Sequence, residues 1–468
     1  LQKQRHDNVP LESLARHRWS DTAVGRRNVG SVARMEPVLD TGTTAWLLVS
    51  TALVFIMIPG LAFFYGGMNR SKSVLNMLMM VISSTFIVGI LWILYGYSMA
   101  YGSTSGNFVG SFTDYFGTAQ LISVGGDGFP PMVDVAFQAM FACLTVGLIA
   151  GAVADRMKFG AWLVFAAVWA SLVYFPVAHW VWGDGWIGLL DIGGAEVIDF
   201  AGGTAVHINA GAAALALAII LGRRLGWPRT PMRPHNLTTV MLGAGLLWFG
   251  WFGFNAGSAY AADGVAALAA TNTLVATCAG GIAWLIVEKI RDGHATSLGA
   301  ASGIVAGLVA ITPACANVTP LAAVLIGLVA GVLCALAVTL KYKLGYDDSF
   351  DVVGVHLVGG MVGTLMLGFV ASDVFGDGAS TGLFFGGGLN LLAVQAIAAF
   401  GVLFYSLIIA AIIALVLKAI IGIRVEPDQE TGGIDLAEHA ETAYELGDSG
   451  GGGIFAGVGK GAVEGEGK

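Results

Sequence analysis

The sequence has little charge and few cysteines. Only 12% of its 468 residues are charged, and the mean hydropathy is +0.77. That balance excludes a soluble globular domain and is typical of a polytopic helical membrane protein. No nucleophile elbow, phosphate-binding loop or metal-ligand spacing is present, so we expect neither an enzyme nor a cofactor. We expect the cysteines to be buried free thiols: Cys143, Cys278, Cys315 and Cys334.

Long apolar runs dominate the chain. We predict an all-α polytopic membrane protein with eleven transmembrane helices, packed closely with the help of 68 glycines. The predicted helices begin near residues 44, 74, 132, 159, 199, 236, 264, 296, 319, 352 and 393.

Positive charge is missing from every second loop. All fourteen Lys and Arg residues between positions 40 and 424 fall on one side of the membrane under this assignment. By the positive-inside rule these loops are cytoplasmic. We therefore predict a multi-pass protein of the cell membrane, with its N-terminus outside and its C-terminus in the cytoplasm.

The two ends of the chain differ from the middle. Residues 1–34 are polar and contain seven Lys or Arg, with no apolar core of a signal peptide. Met35 follows them, so we interpret 1–34 as a non-native or upstream extension. Residues 35–424 form the predicted membrane domain, and 425–468 a cytoplasmic tail whose Gly-rich end we expect to be disordered.

Two histidines lie within apolar spans, each after an acidic residue. His207 follows Asp199, and His356 follows Asp351. An ionisable side chain in a bilayer is costly and by default lines an internal pathway. Because the two elements open the fifth and tenth spans, we predict an inverted five-helix repeat, plus an eleventh helix, with both rings in one pore. The alternative is two separate histidines bonded to backbone carbonyls.

The two acidic residues have a structural alternative. Both sit near helix starts, where a carboxylate caps the helix and compensates its dipole. We favour capping for Asp351, whereas Asp199 lies at the outer end, where an electrostatic role toward a cation is open. The glycines beside it, Gly202 and Gly203, would let another helix approach closely.

Aromatic residues are dense at the outer ends of the spans. An interfacial belt would explain many of them, but less readily Phe254, which stands among glycines near Ser258. Aromatic faces with a hydroxyl suit a small cation, and a desolvated cation–π contact contributes about 2 kcal/mol. We assign the other histidines to the surface, interfaces or tail: His6, His17, His179, His235, His294 and His439.

Five segments together resemble the ammonium transporter (Amt/MEP/Rhesus) family, in its Amt branch. They are 59–67 (PGLAFFYGG), 199–209 (DFAGGTAVHIN), 250–258 (GWFGFNAGS), 311–315 (ITPAC) and 347–356 (DDSFDVVGVH). They occur in the family's order, and the match runs from about residue 40 to Tyr444. One departure is Leu357, where the family commonly has Gly.

The resemblance implies roles for individual residues. It places ammonium recruitment at Trp182, Phe141 and Ser258, with Asp199 nearby. Phe141 and Phe254 would close the pore mouth, and His207 and His356 would share a hydrogen bond in the apolar pore. It also implies a homotrimer in the lipid bilayer, with a tail that meets a PII-type signalling protein in many bacteria and archaea.

The expected activity follows from these roles. Ammonium would lose its proton at the mouth and cross as ammonia, with the proton relayed separately along the imidazoles, so that transport is electrogenic. One alternative is a passive ammonia or carbon dioxide channel. Another is an ammonium sensor that acts through a separate partner. We expect no nucleic-acid partner.

Overall fold

The computed structural model describes residues 38–124 and 128–444, and within them the protein is predominantly helical. The predictions for residues 1–34 and for the Gly-rich end of the tail lie outside these residues. The eleven principal helices are α1 (Thr41–Met68), α2 (Val74–Tyr101), α3 (Pro131–Ala152), α4 (Phe159–Trp182), α5 (Gly203–Leu221), α6 (Leu237–Gly257), α7 (Gly264–Asp292), α8 (Ser297–Ile311), α9 (Pro320–Leu344), α10 (Val353–Val370) and α11 (Asn390–Ile420).

The predicted all-α membrane fold is confirmed. Ten of these helices are long and apolar enough to cross a membrane, and the eleventh, α8, is apolar with 15 residues. Each begins within four residues of the predicted position; the number of eleven spans stays a prediction. Two small antiparallel hairpins stand in loops: β1 (Thr104–Ser105) with β2 (Val109–Gly110), and β3 (Asp191–Ile192) with β4 (Ala195–Glu196).

The two histidine-bearing helices begin in the same unusual way. α5 opens with a π-helical segment, Gly203–Ile208, and α10 with another, Val353–Leu357. π-helical turns are rare and occur frequently at functional sites, because the wider turn redirects the side chains in it. Each segment contains one of the two histidines, so the matching positions predicted from the sequence have matching backbone geometry.

The starts of α5 and α10 are capped by Asp199 and Asp348, which stand at the same spacing before their histidines. The carboxylate of Asp199 accepts hydrogen bonds from four backbone N–H groups of residues 202–205. At α10, Asp348 accepts from the Val353 N–H at 2.7 Å. Our capping prediction for Asp351 is therefore wrong: its backbone has φ of 63° and its carboxylate pairs with Lys341 at 2.6 Å.

A buried charge network ties the basic loops together. Arg224 pairs with Asp347 at 2.9 Å, and neither side chain is more than 6% exposed. Arg156 is fully buried and donates to five oxygens, four of them backbone carbonyls. Burial lowers the pKa of Arg156 to about 10, so it stays charged at neutral pH. The carbonyl bonds offset the cost of burying that charge.

The tail packs against the end of the molecule that carries the basic loops. It forms two short helices, α12 (Pro427–Gly432) and α13 (Ile434–His439). Glu430 of α12 pairs with Arg424 at 2.7 Å. Asp435 of α13 accepts from the backbone N–H groups of Leu75 and Asn76, at the start of α2.

Two minor predictions are wrong. Cys278 is exposed on α7, whereas the other three cysteines are buried as expected. His179 is fully buried in α4 and its ring contacts the Ala100 carbonyl and the Thr104 hydroxyl. Residues of α2 and the following hairpin enclose it, a contact that local sequence does not reveal.

Candidate functional site

Three aromatic rings from three helices meet at one end of a buried core. The rings of Phe141 (α3) and Phe254 (α6) lie 4.2 Å apart between centroids, at 32°. Trp182, at the end of α4, meets Phe141 edge-on at 6.2 Å and 84°. Both Phe side chains are at most 1% exposed. The two Phe rings therefore lie between Trp182 and His207 in one series of ring contacts.

Ser258 and Asp199 lie beside this aromatic group. Ser258 is one turn after Phe254, and its hydroxyl donates to the Phe254 carbonyl at 2.8 Å. The Trp182 indole N–H donates to the backbone carbonyl of Asp199 at 3.0 Å. Asp199 thus fixes the start of α5 with its carboxylate and orients the indole with its carbonyl.

His207 and His356 bond directly to each other. Their Nδ1 atoms are 3.3 Å apart and their ring centroids 5.3 Å apart. The side chains are 0% and 4% exposed. One Nδ1 must donate and the other accept, so when both rings are neutral they hold opposite tautomers. In the part of the chain that the structure describes, neither ring bonds to a backbone carbonyl, and Nε2 of His207 has no partner.

A further ring, Trp251, joins the Phe pair to the histidines. It stacks on His207 at 5.4 Å and 20°, and its N–H donates to Thr312 at 2.9 Å. The Phe254 ring also lies 6.1 Å from His207. Trp251 lies in the 250–258 segment, but the motifs do not predict it as a site residue. Its spacing of three residues from Phe254 puts both on one face of α6, a signal that could have identified it.

Glycines allow the histidine helices to approach their neighbours. A Cβ on Gly203 would collide with the ring of Pro313, so this glycine lets the start of α5 pack closely against the turn that follows α8. A Cβ on Gly211 would collide with the backbone nitrogen and Cα of Leu357 as well as with its Cβ. Gly211 therefore lets α5 approach the backbone of α10 closely at the residue after His356.

Ring contacts join the aromatic group to the two imidazoles. Among residues 38–124 and 128–444 no group of three or more His, Cys, Asp or Glu could hold a metal ion. From Trp182 inward, ring contacts lead through Phe141 and Phe254 to His207 and then His356. The Trp182 end of this series offers π faces, and the two imidazoles at the other end offer hydrogen-bonding nitrogens.

Comparison with known proteins decides the family. The model of the Ammonium Transporter Family matches residues 45–444, which is most of the chain. The chain belongs to this family. An ammonium transporter of Mycobacterium tuberculosis is 57% identical, over 87% of this chain and 91% of that protein. Another, from Aquifex aeolicus, is 46% identical over 88% of this chain and 95% of its own length.

Solved structures of the Ammonium Transporter Family share the fold. Candida albicans Mep2 superposes with a TM-score of 0.77 at 32% identity, covering 84% of this chain and 88% of Mep2. A protein described as a sensor Amt protein gives the same TM-score of 0.77 at 28% identity, covering 85% of this chain and 98% of that one.

Proposed function

We propose that this protein transports ammonium across the cell membrane, taking up the cation and conducting ammonia through the core of each subunit. The observation that supports this most is the buried His207–His356 pair, 3.3 Å between Nδ1 atoms, behind the closed rings of Phe141 and Phe254. Family membership supports ammonium as the substrate.

In this proposal the cation is recruited at the mouth. Trp182 and Phe141 offer π faces, the Ser258 hydroxyl offers an oxygen, and Asp199 holds the indole in place. The aromatic pair Phe141 and Phe254 then excludes bulk water, so that only a molecule small enough to displace a ring passes. These side chains come from α3, the end of α4, the segment before α5, and α6 with its C-cap, which makes the site dependent on the fold as a whole.

Discrimination against potassium follows from the removable proton. Ammonium and potassium have nearly the same size and charge, but a permanent ion at the bilayer centre costs from about 3 to more than 10 kcal/mol. Potassium would bear that cost in full. Ammonium gives up its proton at the mouth and crosses as neutral ammonia.

The proton follows along the two imidazoles. A neutral ring has one donor and one acceptor nitrogen, so a bonded pair passes a proton by accepting it at one end and releasing it at the other. Net transport is then electrogenic. The direct ring-to-ring bond supports this more than it supports a purely passive gas pore.

The remaining parts of the proposal concern assembly. We propose a homotrimer with one pore per subunit, a membrane domain at 35–424 and a cytoplasmic tail at 425–468. In this orientation the N-terminus is outside, and the packed tail faces a PII-type signalling protein. The tail packs against the end of the molecule that carries the basic loops. Because the sequence predicts these loops to be cytoplasmic, this contact supports the orientation.

A passive ammonia or carbon dioxide channel is the main alternative. An ammonium sensor is the second alternative, because one structural relative is described as a sensor Amt protein. The deciding experiment is current on ammonium addition in proteoliposomes, with a potassium pulse and Asp199→Ala as controls. A saturable current that responds to ammonium, ignores potassium and vanishes in the variant supports the proposal. Ammonia flux by an internal pH dye without current moves the protein to the passive channel. Neither signal favours the sensor.

A further inference from the structure

One face of α3 continues outward from the closing ring to a carboxylate. Asp134, Phe137, Gln138 and Phe141 are spaced i, i+3, i+4 and i+7, so they share one face of the helix. Seven residues of α-helix span roughly 10 Å. Asp134 therefore lies about two turns beyond Phe141, on the side away from the histidines, and its side chain is half-buried.

Neutral donors from two other segments hold this carboxylate. The Tyr97 hydroxyl donates to its Oδ2 at 2.8 Å, and the Tyr260 hydroxyl donates to its Oδ1. Gln138 in turn donates to the Tyr260 oxygen at 2.6 Å. Phenols and amides orient a carboxylate by donating hydrogen bonds to its oxygens. The bonds therefore fix the orientation of the carboxylate.

Ring contacts connect Tyr260 to Phe141 through Phe137. Tyr260 meets Phe137 edge-on at 5.6 Å and 87°, and Phe137 meets Phe141 at 5.0 Å and 69°. Tyr260 stands two residues after Ser258 and adopts φ of 55°, a left-handed backbone that non-glycine residues rarely take. The phenol is thus directed to Asp134 from the segment that also supplies Ser258.

We propose that Asp134 is a positioning residue for the substrate cation: its oriented charge concentrates ammonium above the Phe141–Trp182–Ser258 site and so sets the apparent affinity of transport. The inference rests on the proposed function and names a residue for it that the sequence motifs did not. A fixed charge at a pore mouth raises the local concentration of the opposite ion, and salt screens the effect.

A purely structural role for Asp134 predicts different behaviour. If the carboxylate only joined α2, α3 and the Tyr260 segment, its loss would lower the amount of folded protein or the maximal current. If it attracts the cation, its loss raises the ammonium concentration for half-maximal current and leaves the maximal current unchanged. A charge acting over roughly 10 Å changes that concentration by about two- to tenfold.

The experiment is an ammonium titration of the current in proteoliposomes containing the full chain, at about 0.01 M and about 1 M sodium chloride. These salt concentrations change the screening length from about 30 Å to about 3 Å. The variants are Asp134→Asn, which removes the charge and keeps an acceptor, and Asp134→Glu, which keeps the charge. The matched control is Asp191→Asn, which removes an exposed carboxylate from the β3–β4 hairpin.

We expect Asp134→Asn to raise the half-maximal concentration at low salt, Asp134→Glu to restore it, and Asp191→Asn to change it less. The difference between wild type and Asp134→Asn should disappear at high salt. An unchanged half-maximal concentration in a folded Asp134→Asn protein overturns this inference alone. If that variant does not fold, a wild-type half-maximal concentration that is independent of salt overturns the inference instead. A wild-type protein with no saturable response overturns the proposed function together with it.

Discussion

The Nδ1 atoms of His207 and His356 are 3.3 Å apart, although 149 residues separate them in the chain. The bond joins the openings of α5 and α10, so each ring constrains the tautomer of the other. In a dry interior such a bond is also costly to break, because a buried polar group left without a partner costs about 1–3 kcal/mol.

Replacing His207 by Ala should reduce the ammonium-evoked current at least about tenfold, equivalent to roughly 1.4 kcal/mol on the barrier. The proton would lose its acceptor, whereas neutral ammonia could still cross. The current in proteoliposomes and the ammonia flux reported by an internal pH dye measure the two separately. His294→Ala, which alters an exposed histidine, is the control. An undiminished current in His207→Ala would contradict the relay.

A second prediction concerns the Phe254 ring. Phe254→Ala removes one half of the stacked pair, and we expect water to enter the pore and discrimination against potassium to weaken. A buried Phe→Ala change also costs about 3–5 kcal/mol of stability. Stopped-flow water permeability and a potassium pulse would measure the change in the pore.

Phe249→Ala on the same helix is the matched control, because that ring is 58% exposed and faces away from the core. Equal water and potassium permeability in the two variants would reduce Phe254 to a packing role. The thermal stability of the solubilised protein distinguishes loss of gating from loss of fold.

The sequence predicts the helices well for a physical reason. Long apolar runs and the one-sided distribution of basic residues are local signals that the bilayer imposes on every span. The matched positions of His207 and His356 are equally visible, because an ionisable side chain in an apolar run is rare. The spatial contacts of Asp134 with Tyr97 and Tyr260 are not, since they join residues 37 and 126 positions apart.

The wrong predictions have the same origin. Asp351 stands close to a helix start, and only the three-dimensional path of the chain shows that Asp348 caps it while Asp351 pairs with Lys341. Cys278 lies in an apolar helix, and only packing determines which face of α7 is outward. Patterns along a chain identify elements better than they identify the partners of single side chains.

A third prediction tests how closely α5 approaches the α10 backbone at Leu357. Gly211→Ala should destabilise the protein by about 1–3 kcal/mol, because the new methyl group overpacks against the backbone and Cβ of Leu357. Leu357→Gly, the residue that the family commonly has there, should recover little of that loss in the double variant, because the backbone nitrogen and Cα of residue 357 still obstruct the methyl group. Thermal unfolding of the four proteins of this double-mutant cycle measures the coupling. Full recovery in the double variant would contradict a backbone contact.

A fourth prediction concerns the docked tail at Asp435. Burial raises the pKa of this carboxyl, and this effect outweighs the hydrogen bonds from Asn76 and Leu75, which lower it. The stability that such a group contributes is fully present below its ordinary pKa and is lost as the pH rises through the raised value. Mild acidification should therefore not release the tail.

Asp435→Asn, which is neutral and keeps an acceptor, should keep α13 docked, whereas Asp435→Ala should lose about 1 kcal/mol of capping energy. Hydrogen exchange of residues 434–439, corrected for intrinsic rates at each pH, measures docking, and faster exchange of the wild type at pH about 5 than at about 7 would contradict the assignment.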